Sequence, residues 1–394
     1  MKFSPFVDQI GGKGANAWRL HSRADADLAK GEDVIMLSIG DPEFETPKLV
    51  IETAVERLRG GDTHYTGVSG RDQLKDAIAR DHFRLSGQKV ERENVVVLAG
   101  AQCALFCASM CIAGAGDEVI TFDPMYATYE ATMQASGARL VTVPMPADSG
   151  FQPDLEALGA AITPRTRAIF LTTPHNPTGV MFTRDQLTTI AELAIEHDLW
   201  VVSDEVYADL IFEGEHVAIA SLPDMAERTV TVSSLSKSRN MPGWRAGWAV
   251  GPAELIAHLG NLALCMLYGL PGFVQDAAVV ALEQCADEPK RLTEVYRARR
   301  DQAVKRLNQI PGLKCTAPQA GMFVLADFRD TGLTGDEFCW QLYNETGVAV
   351  LDAAGLGEGA NGFFRMSYTT SEEKLNEACD RISRFCNGLA GGSA

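Results

Sequence analysis

The chain is short of basic residues: 35 Lys and Arg stand against 52 Asp and Glu in 394 residues, a formal net charge of −17. A field of that sign repels polyanions, so nucleic acid and anionic membrane surfaces are not expected partners, and any bound phosphate needs a local pocket. None of the nine cysteines forms a CxxC pair. Cys103, Cys107 and Cys111 share one helical face, but no histidine or second pair completes a tetrahedral set, so they read as reduced core thiols. The seven histidines show no HxxxH-like spacing, and no metal is expected. No GxxxxGK[ST] occurs, and "GLGEGANG" from Gly355, although it looks like a dinucleotide loop, sits in the presumed smaller domain and is not read as one. The opening "MKFSPFVDQIGG" lacks a basic region followed by an apolar run, so no secretory signal is expected and the cytoplasm is the expected compartment.

With 46% apolar and 22% charged residues the composition is that of a globular protein. The uncharged run Val95 to Gly116 is long enough to cross a bilayer, but Gly100 interrupts it and "GAGDE" ends it sharply. A buried strand, a tight turn and a buried helix are the expectation there. From about residue 46 to 285, β-rich apolar runs alternate with amphipathic stretches. The expected strands are 94–99, 117–122, 139–144, 167–174, 199–205, 229–235 and 246–251. This alternation predicts an α/β fold, a large unit with a mostly parallel seven-stranded sheet. Residues 286–394 read as a smaller α+β domain, with residues 1–45 as an arm packing back onto it.

Ligands of such sheets collect at the carboxyl ends of strands, and the polar clusters lie there: "PHNPTG", "SDEVY" and "SSLSKS" each follow a strand. Lys237 stands among Ser234 and Ser236, with Arg245 eight positions on in a glycine-bounded turn. Hydroxyls and a guanidinium suit a phosphate, and an amine in a desolvated pocket or beside other cations loses its proton readily enough to attack a carbonyl. A solvated loop lysine is the plain alternative. Asp204 leaves an apolar strand with Tyr207 three residues on; burying it requires a cation, and a protonated pyridine nitrogen would serve, whereas a helix N-cap is the structural alternative. Two prolines flank Asn176 and fix the direction of its amide.

With these residues in view, the chain resembles the class I aminotransferases of fold type I, which use pyridoxal 5'-phosphate. The resemblance runs from about Gly40 to Thr370. It implies that Lys237 carries the cofactor as a Schiff base and shuttles the substrate proton, that Asp204 keeps the pyridine nitrogen protonated, and that Asn176 and Tyr207 hydrogen-bond the phenolic oxygen. Tyr126 in "DPMYATYE" matches the aromatic ring stacked on the cofactor. The backbone of Ala101 and Gln102 in "GAQCALF", with Ser234, Ser236 and Arg245, would seat the phosphate at a helix start. Tyr65 in "HYTGVSG" matches a residue that reaches the partner subunit's phosphate, implying a homodimer with shared active sites. Arg365 in "FFRMSY" matches the arginine that grips the substrate α-carboxylate, assisted by the Gly40 backbone and Asn176. His175 reads as a loop residue near the cofactor.

The substrates so implied are an amino acid and a 2-oxo acid. Some aspartate-using relatives place a lysine at the position of Gln102; that cation is missing here. Stretches such as "GAQCALF", "FEGEHV" and "NLALCMLYG" resemble arginine:pyruvate transaminases, making arginine and pyruvate the expected pair. An aspartate, aromatic or broad-specificity aminotransferase, a carbon–sulfur β-lyase and a non-enzymatic cofactor-binding regulator are the alternatives. The last needs an added DNA-binding module and a basic surface, and neither is expected here. Sequence spacing locates no carboxylate for a guanidinium.

Overall fold

A computed structural model describes residues 1–3, 7 and 14–391; most of the opening stretch considered for a signal lies outside them. All seven expected strands form, with ends displaced by two residues or fewer: β2 (Val95–Ala99), β3 (Glu118–Asp123), β4 (Arg139–Pro144), β5 (Thr166–Thr172), β6 (Trp200–Asp204), β7 (Thr229–Ser234) and β8 (Ala246–Val250), preceded by the short β1 (Ile35–Met36). They build one sheet in the order β2-β8-β7-β6-β5-β3-β4. Only β8 runs antiparallel to its neighbours; the other pairings are parallel.

Both faces of the sheet are covered, which explains why its strands read as continuous apolar runs. On β2, Val96 and Leu98 pack with Ala104, Leu105 and Ala108 of the helix Gly100–Ile112. Val95 and Val97 face the other way, onto Leu74, Ile78, Ala277 and Ala281. The uncharged run from Val95 is thus a central strand followed by a helix packed against the sheet. Among the described residues no helix is long and apolar enough to cross a membrane.

Four further strands, β9 (Lys314–Cys315), β10 (Phe323–Asp327), β12 (Leu351–Asp352) and β13 (Phe363–Ser367), form an antiparallel sheet in the order β12-β13-β10-β9. Its core contains a stack of Phe328 on Phe338 at 4.5 Å and Phe338 on Phe364 at 5.4 Å. The N-terminal segment packs back onto this part: β1 pairs in parallel with β11 (Val348–Ala349), and Leu20 and Ala24 of the helix Gly14–Leu28 join the same core.

In-register pairing aligns the ends of the central strands. Thr172 on β5 is opposite Asp204 on β6, which is opposite Val232 on β7, two residues before Ser234. Three consecutive carboxyl ends therefore open into one crevice, the usual ligand position of a parallel sheet. Arg365 on β13 enters it from the second sheet, and Gly40 from the chain that follows β1.

Candidate active site

The crevice wall contains twelve of the residues singled out in the sequence: Gly40, Ala101, Gln102, Tyr126, Asn176, Asp204, Tyr207, Ser234, Ser236, Lys237, Arg245 and Arg365. Tyr65 is elsewhere. The residue is 86% exposed, and its ring centre lies 5.0 Å from that of Tyr268, outside the crevice. Three cations and two carboxylates line the wall, so a net positive pocket sits within a chain of net charge −17. This is the local anion site that the overall charge demanded.

One end of the crevice is made by close backbone packing. Gly100 opens the helix Gly100–Ile112, whose first N–H groups have no partner within the helix. Its φ of +79° and the Arg245 Nη2 atom 2.4 Å from where a Cβ would stand require glycine. On β8, a Cβ at Gly247 would fall 2.5 Å from the Gly100 carbonyl carbon, so a second glycine lets the helix start approach the sheet. Arg245 adopts a left-handed φ of 53°; its guanidinium donates to the Pro242 carbonyl at 2.7 Å and the Ala99 carbonyl at 3.3 Å, steadying it at the helix start. Ser234 and Ser236 add hydroxyls on the same wall.

Lys237 Nζ donates to the Gly40 carbonyl at 2.6 Å. Desolvation lowers its pKa to about 8, an effect opposed by the Asp41 charge and reinforced by Arg365 and Arg245. Asp204 is pushed the other way, to about 6, chiefly by burial; the Tyr129 hydroxyl, donating at 2.8 Å, and the Val206 N–H, at 3.3 Å, pull it back only in part. Asp204 therefore does cap the turn that follows β6, yet it has no ion-pair partner among the described residues. Asn176 Nδ2 donates to the Tyr207 hydroxyl at 3.5 Å. His175 beside it is buried and pushed down to about 3 by desolvation; its Nδ1 lies 2.8 Å from Thr178 Oγ1, an arrangement that braces the loop.

Arg365 is held from three sides. Nη1 donates to Asn176 Oδ1 at 3.0 Å, Nη2 to the Ser38 carbonyl at 2.9 Å, and the guanidinium lies 4.0 Å from the centre of the Phe323 ring. Its buried Nε has no partner, and burial lowers its pKa to about 10. Gly40 is needed for the same layering, because a Cβ there would stand 2.4 Å from Phe323 Cζ.

Sequence reasoning missed Tyr129 and Phe323. Tyr129 opens the helix Tyr129–Gln134 three residues after Tyr126, their rings edge to face at 5.8 Å, and its hydroxyl lies 2.5 Å from Thr172 Oγ1 as well as donating to Asp204. The three-residue spacing was a usable signal. Phe323 carried none, since only tertiary packing brings it beneath Arg365. Gln102 shows why its side chain offers a ligand little: its amide donates to Thr132 Oγ1 and accepts from Thr128 Oγ1, both at 2.7 Å. No group of three His, Cys, Asp or Glu suited to a metal occurs among the described residues.

The donors fit pyridoxal phosphate on their own chemistry. A helix start with hydroxyls and Arg245 suits the phosphate, the unpaired buried Asp204 suits a ring cation, and Lys237 suits a carbonyl carbon. Such a pocket on this α/β scaffold defines a pyridoxal-phosphate enzyme of fold type I. The chain belongs to the class I and II aminotransferases, whose family profile matches residues 32–382. It is 50% identical to the arginine–pyruvate transaminase AruH of Pseudomonas aeruginosa, over 99% of this chain and 100% of that one. An aspartate aminotransferase of Pyrococcus horikoshii is 34% identical over 91% of this chain and 92% of its own. Among solved structures, the aspartate aminotransferase of Rhizobium meliloti superposes with a TM-score of 0.92 at 33% identity, covering 98% of this chain and 99% of that chain.

The raised value at Asp204 predicts how the cofactor-free protein responds to pH. Between about pH 4 and 6 the folded state keeps a proton that the unfolded chain releases, so stability falls as pH rises through that window. Asp204→Asn removes this loss and should stabilise cofactor-free protein at pH 7.5 by on the order of 2–3 kcal/mol. Denaturant melts at pH 7.5 and pH 4 check it: the gain should vanish at the lower pH, and no gain at pH 7.5 contradicts the charge assignment.

Proposed function

We propose that this chain transfers the amino group of L-arginine to pyruvate. The observation that carries the reading is 50% identity, over essentially the whole of both chains, to an arginine–pyruvate transaminase. The crevice supports it by having no cation at Gln102, the position at which some aspartate-using relatives have a lysine, and by committing that side chain to Thr128 and Thr132.

When bound, pyridoxal phosphate supplies a carbonyl carbon for the amine and an electron-withdrawing ring that delocalises the charge left at the substrate Cα. The protein's share follows from its own groups. Lys237, with an amine lowered to about 8, takes the Cα proton as a general base and returns it on the far side of the reaction. The Asp204 carboxylate holds a proton at the pyridine nitrogen, which in turn neutralises its buried charge. Asn176 and Tyr207 would orient the phenolic oxygen, and Tyr126 would cover the ring. Ala101, Gln102, Ser234, Ser236 and Arg245 would hold the phosphate. Arg365 takes the α-carboxylate through its unpartnered Nε, with the Gly40 backbone beside it.

Two further parts of the reading concern organisation. Residues 46–285 form the cofactor-binding domain, and residues 286–394 with 1–45 form the smaller one that brings Arg365. The active form is a cytoplasmic homodimer in which Tyr65 completes the partner's phosphate site. Tyr65 packs on Tyr268 with both exposed, and Leu49, Ile51, Val55 and Leu58 of the helix Lys48–Arg59 are exposed as well, apolar surface that a partner subunit would cover.

Mixing Lys237→Ala chains with Tyr65→Phe chains tests the shared site. Hybrids should contain one undamaged site, and their activity should exceed both parents; no gain contradicts the cross-subunit role. The substrate reading is tested by initial rates with pyruvate and a panel of arginine, lysine, aspartate, alanine, methionine and phenylalanine. Arginine should show the highest kcat/KM. Aspartate ahead of arginine overturns the reading, and a preference for phenylalanine transfers it to an aromatic aminotransferase. Pyruvate and ammonia released from a β-substituted donor without any oxo acid would mark a lyase instead.

A further inference from the structure

Arg365 and Lys237 fix two points of a bound amino acid, its α-carboxylate and its Cα. The rest of the wall must meet the side chain, and an arginine side chain ends in a planar cation that is costly to leave unpaired. Two carboxylates line the crevice. Asp204, which also accepts from the Tyr129 hydroxyl and the Val206 N–H, is taken by the pyridine nitrogen in the reading above. Asp41 has no hydrogen-bond or ion-pair partner among the described residues, although it follows Gly40, whose carbonyl takes the Lys237 amine.

Trp18, on the helix Gly14–Leu28, also lines the crevice, and its ring meets His21 edge-on with centroids 5.4 Å apart. His21 Nδ1 lies 2.9 Å from Ser38 Oγ, and the Ser38 carbonyl accepts from Arg365 Nη2. The helix that carries the indole is therefore tied to the carboxylate grip. The remaining polar side chain that sequence comparison pointed to, Gln102, is occupied within its own helix pair.

We propose that Asp41 is the specificity residue for the distal end of the amino donor, forming with the Trp18 indole a subsite for a guanidinium. The inference rests on the arginine reading above. A carboxylate accepts two parallel N–H donors from a guanidinium, and an indole face attracts a cation. Neither partner alone separates arginine from its competitors. Citrulline keeps the planar shape and several donors but has no charge; lysine keeps the charge but not the plane.

The test uses the holoenzyme with pyruvate as acceptor and reads the arginine-to-citrulline ratio of kcat/KM. Asp41 also acts on Lys237 through its charge, but that influence bears on both donors alike and cancels in the ratio. Asp41→Asn should lower the ratio about tenfold or more, whereas Asp41→Glu should keep most of it. Trp18→Leu should lower the arginine-to-lysine ratio. Inhibition by 5-guanidinopentanoate, which lacks an amino group and cannot react, should weaken in Asp41→Asn by a similar factor. If the unaltered enzyme prefers arginine to citrulline and Asp41→Asn keeps that preference, the assignment of Asp41 is overturned while the arginine reading stands. An unaltered enzyme that does not distinguish the two donors overturns both.

Discussion

Asp204 is a buried carboxylate at the end of a strand buried from Val201 onward, with a hydroxyl and a backbone N–H for company and no ion-pair partner among the described residues. Leaving a charge so placed costs several kcal/mol unless something cationic meets it. The rest of the crevice follows from how that cost is met. In the proposed function a cationic ring would offset it at Asp204, the helix start at Gly100 would hold a phosphate, and Lys237 would supply the amine for a carbonyl carbon. The parallel register of β5, β6 and β7 puts these three demands at neighbouring strand ends.

The same crevice concentrates features that a stability-driven sequence would avoid. Arg245 holds a left-handed backbone, Arg365 leaves a buried Nε unpartnered, and Lys237 is desolvated near two other cations. Each is unfavourable in the cofactor-free chain; in the proposed function a carboxylate would meet the Arg365 Nε and a carbonyl carbon the Lys237 amine, while the Arg245 backbone is the cost of placing its guanidinium. That pattern is expected where stability has been given up for activity. Glycines at positions 40, 100 and 247 belong to the same design, since each lets backbone approach a ring, a guanidinium or another backbone where a Cβ has no room.

The seven-stranded sheet was legible because buried parallel strands leave continuous β-branched runs punctuated by turn residues. Strand ends were the least legible part: the run ending at Pro174 stops at Thr172, where the ladder gives way to the turn before a residue without an N–H. Lys237, Asp204 and Asn176 stood out because each is in a polar cluster that follows an apolar run, whereas Arg365, in the middle of β13, was found only through the resemblance to the aminotransferases. Tyr129, Phe323 and Trp18 did not, because aromatic residues in amphipathic or apolar stretches look like core until the fold brings them to Asp204, Arg365 and the crevice wall. Asp41 was visible within "LSIGDPEFETP", but no spacing rule says whether a carboxylate beside a glycine faces solvent or a ligand.

The central claim is that Lys237 is the amine that bonds the cofactor. Reducing the holoenzyme with borohydride fixes that bond irreversibly, and peptide mass mapping then locates the added pyridoxyl group. The account predicts a single label, on Lys237 in the peptide that contains "SSLSKSR". A label on any other lysine, with Lys237 unmodified, would contradict it.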